Sequence, residues 1–227
     1  MERERGAGPA AVSMDPVRIP VGRETVEGSL QIPAGAEGAV LFAHGSGSSR
    51  WSPRNRYVAE RFRAAGLGTL LVDLLTPFED ADPEARFDIE LLAARLKAVT
   101  AWFRGTPAGA RLRVGYYGAS TGAAAALRAA AELGSEIGAV VSRGGRPDLA
   151  EEVLDRVETP TLLIVGGEDH PVLEWNREAY GRIRAAKELA VIPGATHLFE
   201  EPGALDEVAR LAADWFRRFL RPARKES

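Results

Sequence analysis

The stretch Val114–Leu127 reads VGYYGASTGAAAAL, and its reading decides the fold. An apolar and aromatic run, Leu112–Tyr117, ends in Gly118-Ala119-Ser120-Thr121-Gly122, and an alanine-rich helical pattern over Thr121–Leu133 follows at once. A strand before the glycines and a helix directly after them is the mechanical context of a G-x-S-x-G turn, which holds a serine at the carboxyl edge of a sheet with its hydroxyl exposed. The glycines permit the sharp reversal and a close helix approach. The first N–H groups of the helix then lie beside the serine with no intrahelical acceptor. Alone, these five residues also describe a tight strand–helix turn with serine as N-cap. The functional reading therefore depends on what accompanies them.

Outward from this turn, β-rich runs alternate with helical patterns. Val17–Val21 and Thr25–Ile32 predict a leading antiparallel pair with Gly22 and Arg23 at the turn. Gly38–Ala43 (GAVLFA), Thr69–Leu74, Leu112–Tyr117, Ile137–Ser142, Thr161–Val165 and Glu188–Ile192 predict further strands. Ser52 and Pro53 read as the N-cap and first residue of a helix that Gly66 stops. Arg86–Arg104, Leu173–Ala185 and Leu205–Leu220 predict helices, and a short one is expected between Ser142 and Thr161. Leu92, Leu96, Val99 and Phe103 share one helical face, as do Val208, Leu211, Ala212, Trp215, Phe216 and Phe219. Alternation from residue 38 onward argues for an α/β fold. It is a mostly parallel, twisted sheet of about eight strands with helices on both faces, forming one domain over residues 17–221. Residues 1–16 read as a disordered leader, with Met14 as an alternative start, and 222–227 as a flexible tail.

The bulk numbers narrow the partners. The chain has 227 residues, enough for a sizeable core. A net charge of −3 gives no global reason to expect nucleic acid or an anionic membrane. With no cysteine there is no disulfide, thiolate metal site or cysteine nucleophile. No apolar run reaches the roughly 18–20 residues that cross a bilayer, and the first residues lack the apolar core of a secretion signal. Cytoplasm is the default location, with a monomer or small homo-oligomer expected.

A serine hydroxyl is a weak nucleophile and needs a base. The chain has three histidines, His44, His170 and His197. His197, in VIPGATHLFEEPG, lies on a loop just after the last predicted strand, where a base for this turn belongs. The base needs an acid to fix its tautomer and stabilise its charged form. In LLIVGGEDHPVLEWN both Glu168 and Asp169 follow a strand and two glycines, and position alone leaves the choice open. The order serine, acid, histidine is the order this kind of sheet imposes. His44-Gly45-Ser46-Gly47 follows a buried strand expected beside the serine's strand. The backbone N–H groups of Ser46 and Thr121 can then face one developing oxyanion, each such donor being worth roughly 3–4 kcal/mol of barrier.

Together HGSGSSRWSPRNRYVAERF, GYYGASTGAAAAL, LLIVGGEDHPVLEWN and PGATHLFEEPG resemble the α/β-hydrolase fold over residues 17–220, and within it the dienelactone-hydrolase-like branch. The resemblance implies Ser120 as nucleophile, Asp169, in preference to Glu168, as acid, and His197 as base. It also implies no metal and no organic cofactor, and the Ser46 and Thr121 N–H groups as oxyanion donors. Dienelactone hydrolases carry cysteine at the turn, whereas this chain carries serine. The expected reaction is therefore hydrolysis of small carboxylic esters or lactones. The same triad also serves thioester hydrolysis and acyl transfer, and a silent binding protein would be expected to have lost one of the three residues.

Only Arg143–Pro160 separates the strands between which such folds often insert a lid, which predicts an open site. Arg50 and Arg143 follow strands whose carboxyl ends face the site and are candidates to hold an anionic substrate group. The competing expectation is that such arginines pair with acids such as Asp73, Asp148 and Glu200. Trp175 and Phe199 are candidate pocket walls; Tyr116 and Tyr117 read as core.

Overall fold

The structure is a computed structural model that describes residues 15–221. The expected leader lies outside the described residues up to position 14, and the expected tail at 222–227 lies outside them entirely. Asp15 and Pro16, assigned to the leader from sequence, already belong to the first strand, β1 (Asp15–Val21), because both pair with the next strand.

Strand β2 (Glu24–Gln31) runs antiparallel to β1 and to β4 (Leu67–Val72). Strands β3 (Gly38–Ala43), β5 (Arg113–Ala119), β6 (Ile137–Arg143), β7 (Thr161–Gly166) and β8 (Lys187–Ile192) complete one sheet with β4, all six parallel. The order is β1-β2-β4-β3-β5-β6-β7-β8. The chain steps from β3 to β4 on one side, then crosses to β5 on the other. The carboxyl ends of β3 and β5 therefore flank the point where strand order reverses, which is where ligands bind in open α/β sheets.

Helices α1 (Pro53–Ala64) and α6 (Ala204–Leu220) cover one face. Phe42, Phe62, Tyr117 and Phe216 pack there, the Phe62 and Phe216 rings edge-on with centroids 5.4 Å apart. The other face carries α3 (Ile89–Arg104), α4 (Thr121–Leu133) and α5 (His170–Arg182). Tyr116 is buried on that side, its hydroxyl 2.6 Å from Thr100 Oγ1. Alternation along β5 thus sends the two adjacent tyrosines to opposite cores, as a strand buried on both faces requires.

Several predicted boundaries shift: the helix expected over Leu173–Ala185 runs His170–Arg182, and two further shifts have a local cause. The helix expected over Arg86–Arg104 is broken into α2 (Pro83–Phe87) and α3, because Asp88 leaves helical geometry and its side chain accepts the N–H of Leu91 as an N-cap. β4 starts two residues earlier than expected, because Gly66 at φ +82° turns the chain straight from α1 into the sheet. The segment between β6 and β7 is a 3-10 stretch, Pro147–Arg156, packed against α4 and α5 and not over the sheet edge.

The approach of α4 to the sheet leaves no room for a side chain. A Cβ at Gly122 would lie 2.1 Å from the carbonyl oxygen of Ala43, and one at Gly118 2.4 Å from Ala123 Cα. Gly122→Ala is expected to destabilise the protein by roughly 3 kcal/mol or more through overpacking against backbone. That corresponds to a melting temperature lower by about 6–12 °C in a thermal scan. A scan that superimposes on wild type would show that α4 can back away from β3.

Candidate active site

Ser120 sits between β5 and α4 with φ +50° and ψ −122°, a conformation strained for any residue but glycine. The surroundings hold it there. Its carbonyl accepts the N–H of Ala123 at 3.0 Å and of Arg146 at 3.1 Å, and its own N–H donates to the carbonyl of Arg143. Gly45 completes the fit, since a Cβ there would approach Ser120 Cβ to 2.9 Å. The serine is partly exposed at the sheet edge, and no lid covers it among the described residues.

His197 lies on the loop between β8 and α6. Its Nδ1 is 2.6 Å from Asp169 Oδ2, which leaves Nε2 for the cleft. Asp169 follows β7 and is largely buried, whereas Glu168 is exposed and lies 3.8 Å from the exposed His170. The acid that meets His197 is Asp169 and not Glu168. Backing the imidazole is Gly144 at φ +51°, where a Cβ would sit 3.4 Å from Nδ1. Ser120 and His197 line one open cleft of about 800 Å³, together with Gly45, Ser46, Arg54 and Arg143.

The loop after β3 is tied to the serine turn by a single bond, the N–H of Ser46 donating to Thr121 Oγ1 at 2.9 Å. Sequence reasoning expected this N–H to be free for an oxyanion; in the structure a side chain engages it. The N–H of Thr121, at the first position of α4, has no intrahelical acceptor. The far end of the same loop is held by Asp73, just after β4, whose Oδ1 accepts the N–H of Arg50 at 2.6 Å and lies 3.4 Å from His44 Nε2. Burial pushes the Asp73 carboxyl up. The approach of His44, the Arg50 N–H and the Arg50 guanidinium outweigh burial and hold it below the usual carboxylate range.

Arg50 does not line the cleft. Its guanidinium is taken by Asp73 and Glu27, and it borders a separate cavity of about 260 Å³ beside the cleft. Arg146 is likewise paired with Asp148 and stacks over Trp175 at 4.3 Å, so Trp175 supports an arginine and does not line the cleft. Phe199 is buried beneath Arg143, its ring 5.7 Å away, and forms no cleft surface of its own. Neighbouring Leu198, which no feature of the chain's pattern singled out, lines the cleft instead. Arg86 and Asp80 join the lining from the segment before α3. Among the described residues no group of histidine and acidic side chains is arranged to hold a metal ion. None of the described helices is long and apolar enough to cross a membrane.

The profile of the dienelactone hydrolase family matches residues 82–223, more than half of the chain. The chain belongs to the dienelactone hydrolase family. A crystal structure of a dienelactone hydrolase from Anabaena variabilis superimposes with a TM-score of 0.90 at 55% identity, over 92% of this chain and 99% of that one. Est1E from Butyrivibrio proteoclasticus shares the fold, with a TM-score of 0.75 at 15% identity, over 90% of this chain and 100% of that one. Curated proteins of two Mycobacterium tuberculosis strains, carrying the provisional name of phosphoribosyl transferases, are 58% identical over 200 residues and 88% of this chain. The match spans 45% of those relatives, less than half their length.

The Asp73 contacts give a pH signature. A carboxylate held below its unfolded value near 3.9 contributes stability that is fully present above about pH 4 and is lost as pH falls through the folded value. Asp73→Asn is expected to cost about 1–3 kcal/mol at pH 7. The gap to wild type should close below about pH 4 in urea titrations at several pH values. A constant gap down to about pH 2 would show that the charge of Asp73 contributes nothing.

Proposed function

We propose that the chain is a serine hydrolase cleaving small carboxylic esters or lactones through an acyl-enzyme. The observation that carries this reading is the 2.6 Å contact between His197 Nδ1 and Asp169 Oδ2 in a histidine that shares its cleft with the strained Ser120. Asp169 orients the imidazole and stabilises its charged form. His197 Nε2 takes the hydroxyl proton as Ser120 Oγ attacks the ester carbonyl. The tetrahedral oxyanion is received by the Thr121 N–H and by the Ser46 N–H, which exchanges its Thr121 acceptor for the stronger, charged one. The alcohol leaves with the proton from His197. Water, deprotonated by the same nitrogen, then releases the acid and frees the serine.

The half-exposed serine and open cleft support small or protruding esters over deeply bound ones. Thioester cleavage uses the same groups. The activity in the provisional name of the mycobacterial relatives is a second reading, favoured by 58% identity. The shared part is less than half of those relatives, so the name describes proteins more than twice its length.

Intact-mass analysis after reaction with a fluorophosphonate tests the assignment. One adduct is expected on wild type, none on Ser120→Ala, and slow labelling of His197→Ala and Asp169→Asn. Turnover of a short-chain ester should fall by roughly 10⁴-fold in Asp169→Asn and further in the other two variants. An adduct that persists in Ser120→Ala means the nucleophile lies elsewhere. Pyrophosphate release from a phosphoribosyl donor would support the second reading.

A further inference from the structure

The guanidinium groups around the cleft are matched to acids, with one exception. Arg54 donates to Glu200 at 2.9 Å, Arg86 to Asp80 at 3.1 Å and Arg146 to Asp148 at 2.7 Å, and Arg50 holds Asp73. Arg143 is 7% exposed, its Nε has no hydrogen-bond partner, and it forms no ion pair among the described residues. A guanidinium does not escape burial by losing its proton, so an unmatched one is strongly unfavourable in the free protein.

That unfavourable placement is at the carboxyl end of β6, in the cleft that holds Ser120 and His197. The position is also prepared. Besides Ser120, Phe199 is the one non-glycine with positive φ among the described residues, at +56°, and its buried ring lies under the Arg143 guanidinium. The Tyr117 hydroxyl adjoins the same side chain. The cleft lining carries Arg54, Arg86 and Arg143 against a single acid, Asp80. The Arg54 and Arg86 pairs are partly exposed, and such pairs exchange partners at little cost.

We infer that Arg143 anchors a phosphate group carried by the substrate, with Arg54 and Arg86 as flanking cations. One guanidinium fork satisfies a carboxylate, whereas a phosphate dianion takes several, and Arg54 and Arg86 can add theirs by leaving Glu200 and Asp80. The phosphate is held and not transferred, and it orients the ester group toward Ser120. The inference deepens the hydrolase reading and rests on it for the role of Ser120 alone.

Isothermal titration of inorganic phosphate, and separately of acetate, into Ser120→Ala and Ser120→Ala/Arg143→Met protein tests the anchor. Phosphate is expected to bind once, more tightly than acetate, and to weaken as salt is added. Its affinity should fall by roughly 30-fold or more without Arg143. Arg143→Met should melt no lower than its parent, since it removes an unmatched buried charge; a purely structural arginine would lower the melting temperature and leave phosphate affinity alone. Arg143→Lys, which keeps the charge and loses the fork, should retain part of the affinity and serves if the methionine variant does not fold. Equal phosphate affinity with and without Arg143 would overturn the anchor, and acetate binding as tightly as phosphate would overturn the choice of anion. Fluorophosphonate labelling of wild type separates the two readings. Labelled protein indifferent to phosphate rejects the anchor, and phosphate binding without labelling rejects the hydrolase.

Discussion

Where α4 meets the carboxyl end of β3 there is no room for a side chain at position 122, and much of the molecule depends on that contact. The helix begins against the carbonyl of Ala43, so the loop leaving β3 must pass over the helix start. Gly45 then lies against Ser120 and Thr121 captures the Ser46 N–H. The chain between β5 and α4 has no space for a relaxed turn and takes the left-handed conformation at Ser120. Backbone bonds from Ala123 and Arg146 maintain it. Three glycines thus convert close packing into an exposed hydroxyl beside unpaired helix N–H groups.

The loops that complete the cleft are fixed by a shared device: a side chain hydrogen-bonds the backbone of a segment that has no regular pairing. Asp73 does this for Arg50 and Thr121 for Ser46. Within the His197 loop, Glu201 Oε1 accepts the Thr196 N–H at 3.1 Å and its hydroxyl at 2.6 Å. Asn176, fully buried on α5, donates to the carbonyl of Gly145 at 3.0 Å and so holds the loop behind the serine. Segments without regular hydrogen bonding are thereby held in one geometry, as preorganised sites require.

The strand–helix rhythm was legible in the sequence, and so was the placement of Ser120, Asp169 and His197 after successive strands, because both follow from chain order in a parallel sheet. The choice between Glu168 and Asp169 was not legible from the residues alone, since it depends on which way the chain turns after two glycines. That Arg50 and Trp175 lie outside the cleft lining was not legible for a different reason. Long side chains near a site choose partners in three dimensions, and Asp73 and Arg146 reached them first. The α2–α3 break carried a signal: Asp82-Pro83 repeats the polar-cap-then-proline pattern of Ser52-Pro53, and Asp88 is a second capping residue. The tie between Thr121 and Ser46 spans 75 positions in the chain and leaves no mark on either segment.

The segment between β6 and β7 lies against α4 and α5, and this placement has a kinetic consequence for the proposed reaction. Among the described residues no segment covers the site, so in the proposed reaction no opening step stands between product and solvent and chemistry is free to limit turnover. An acyl group on Ser120 meets water at its bulk concentration. Any other acceptor would compete only by being bound. In the proposed reaction the intermediate would pass to hydrolysis by default, and selectivity would reside in which esters are positioned for attack.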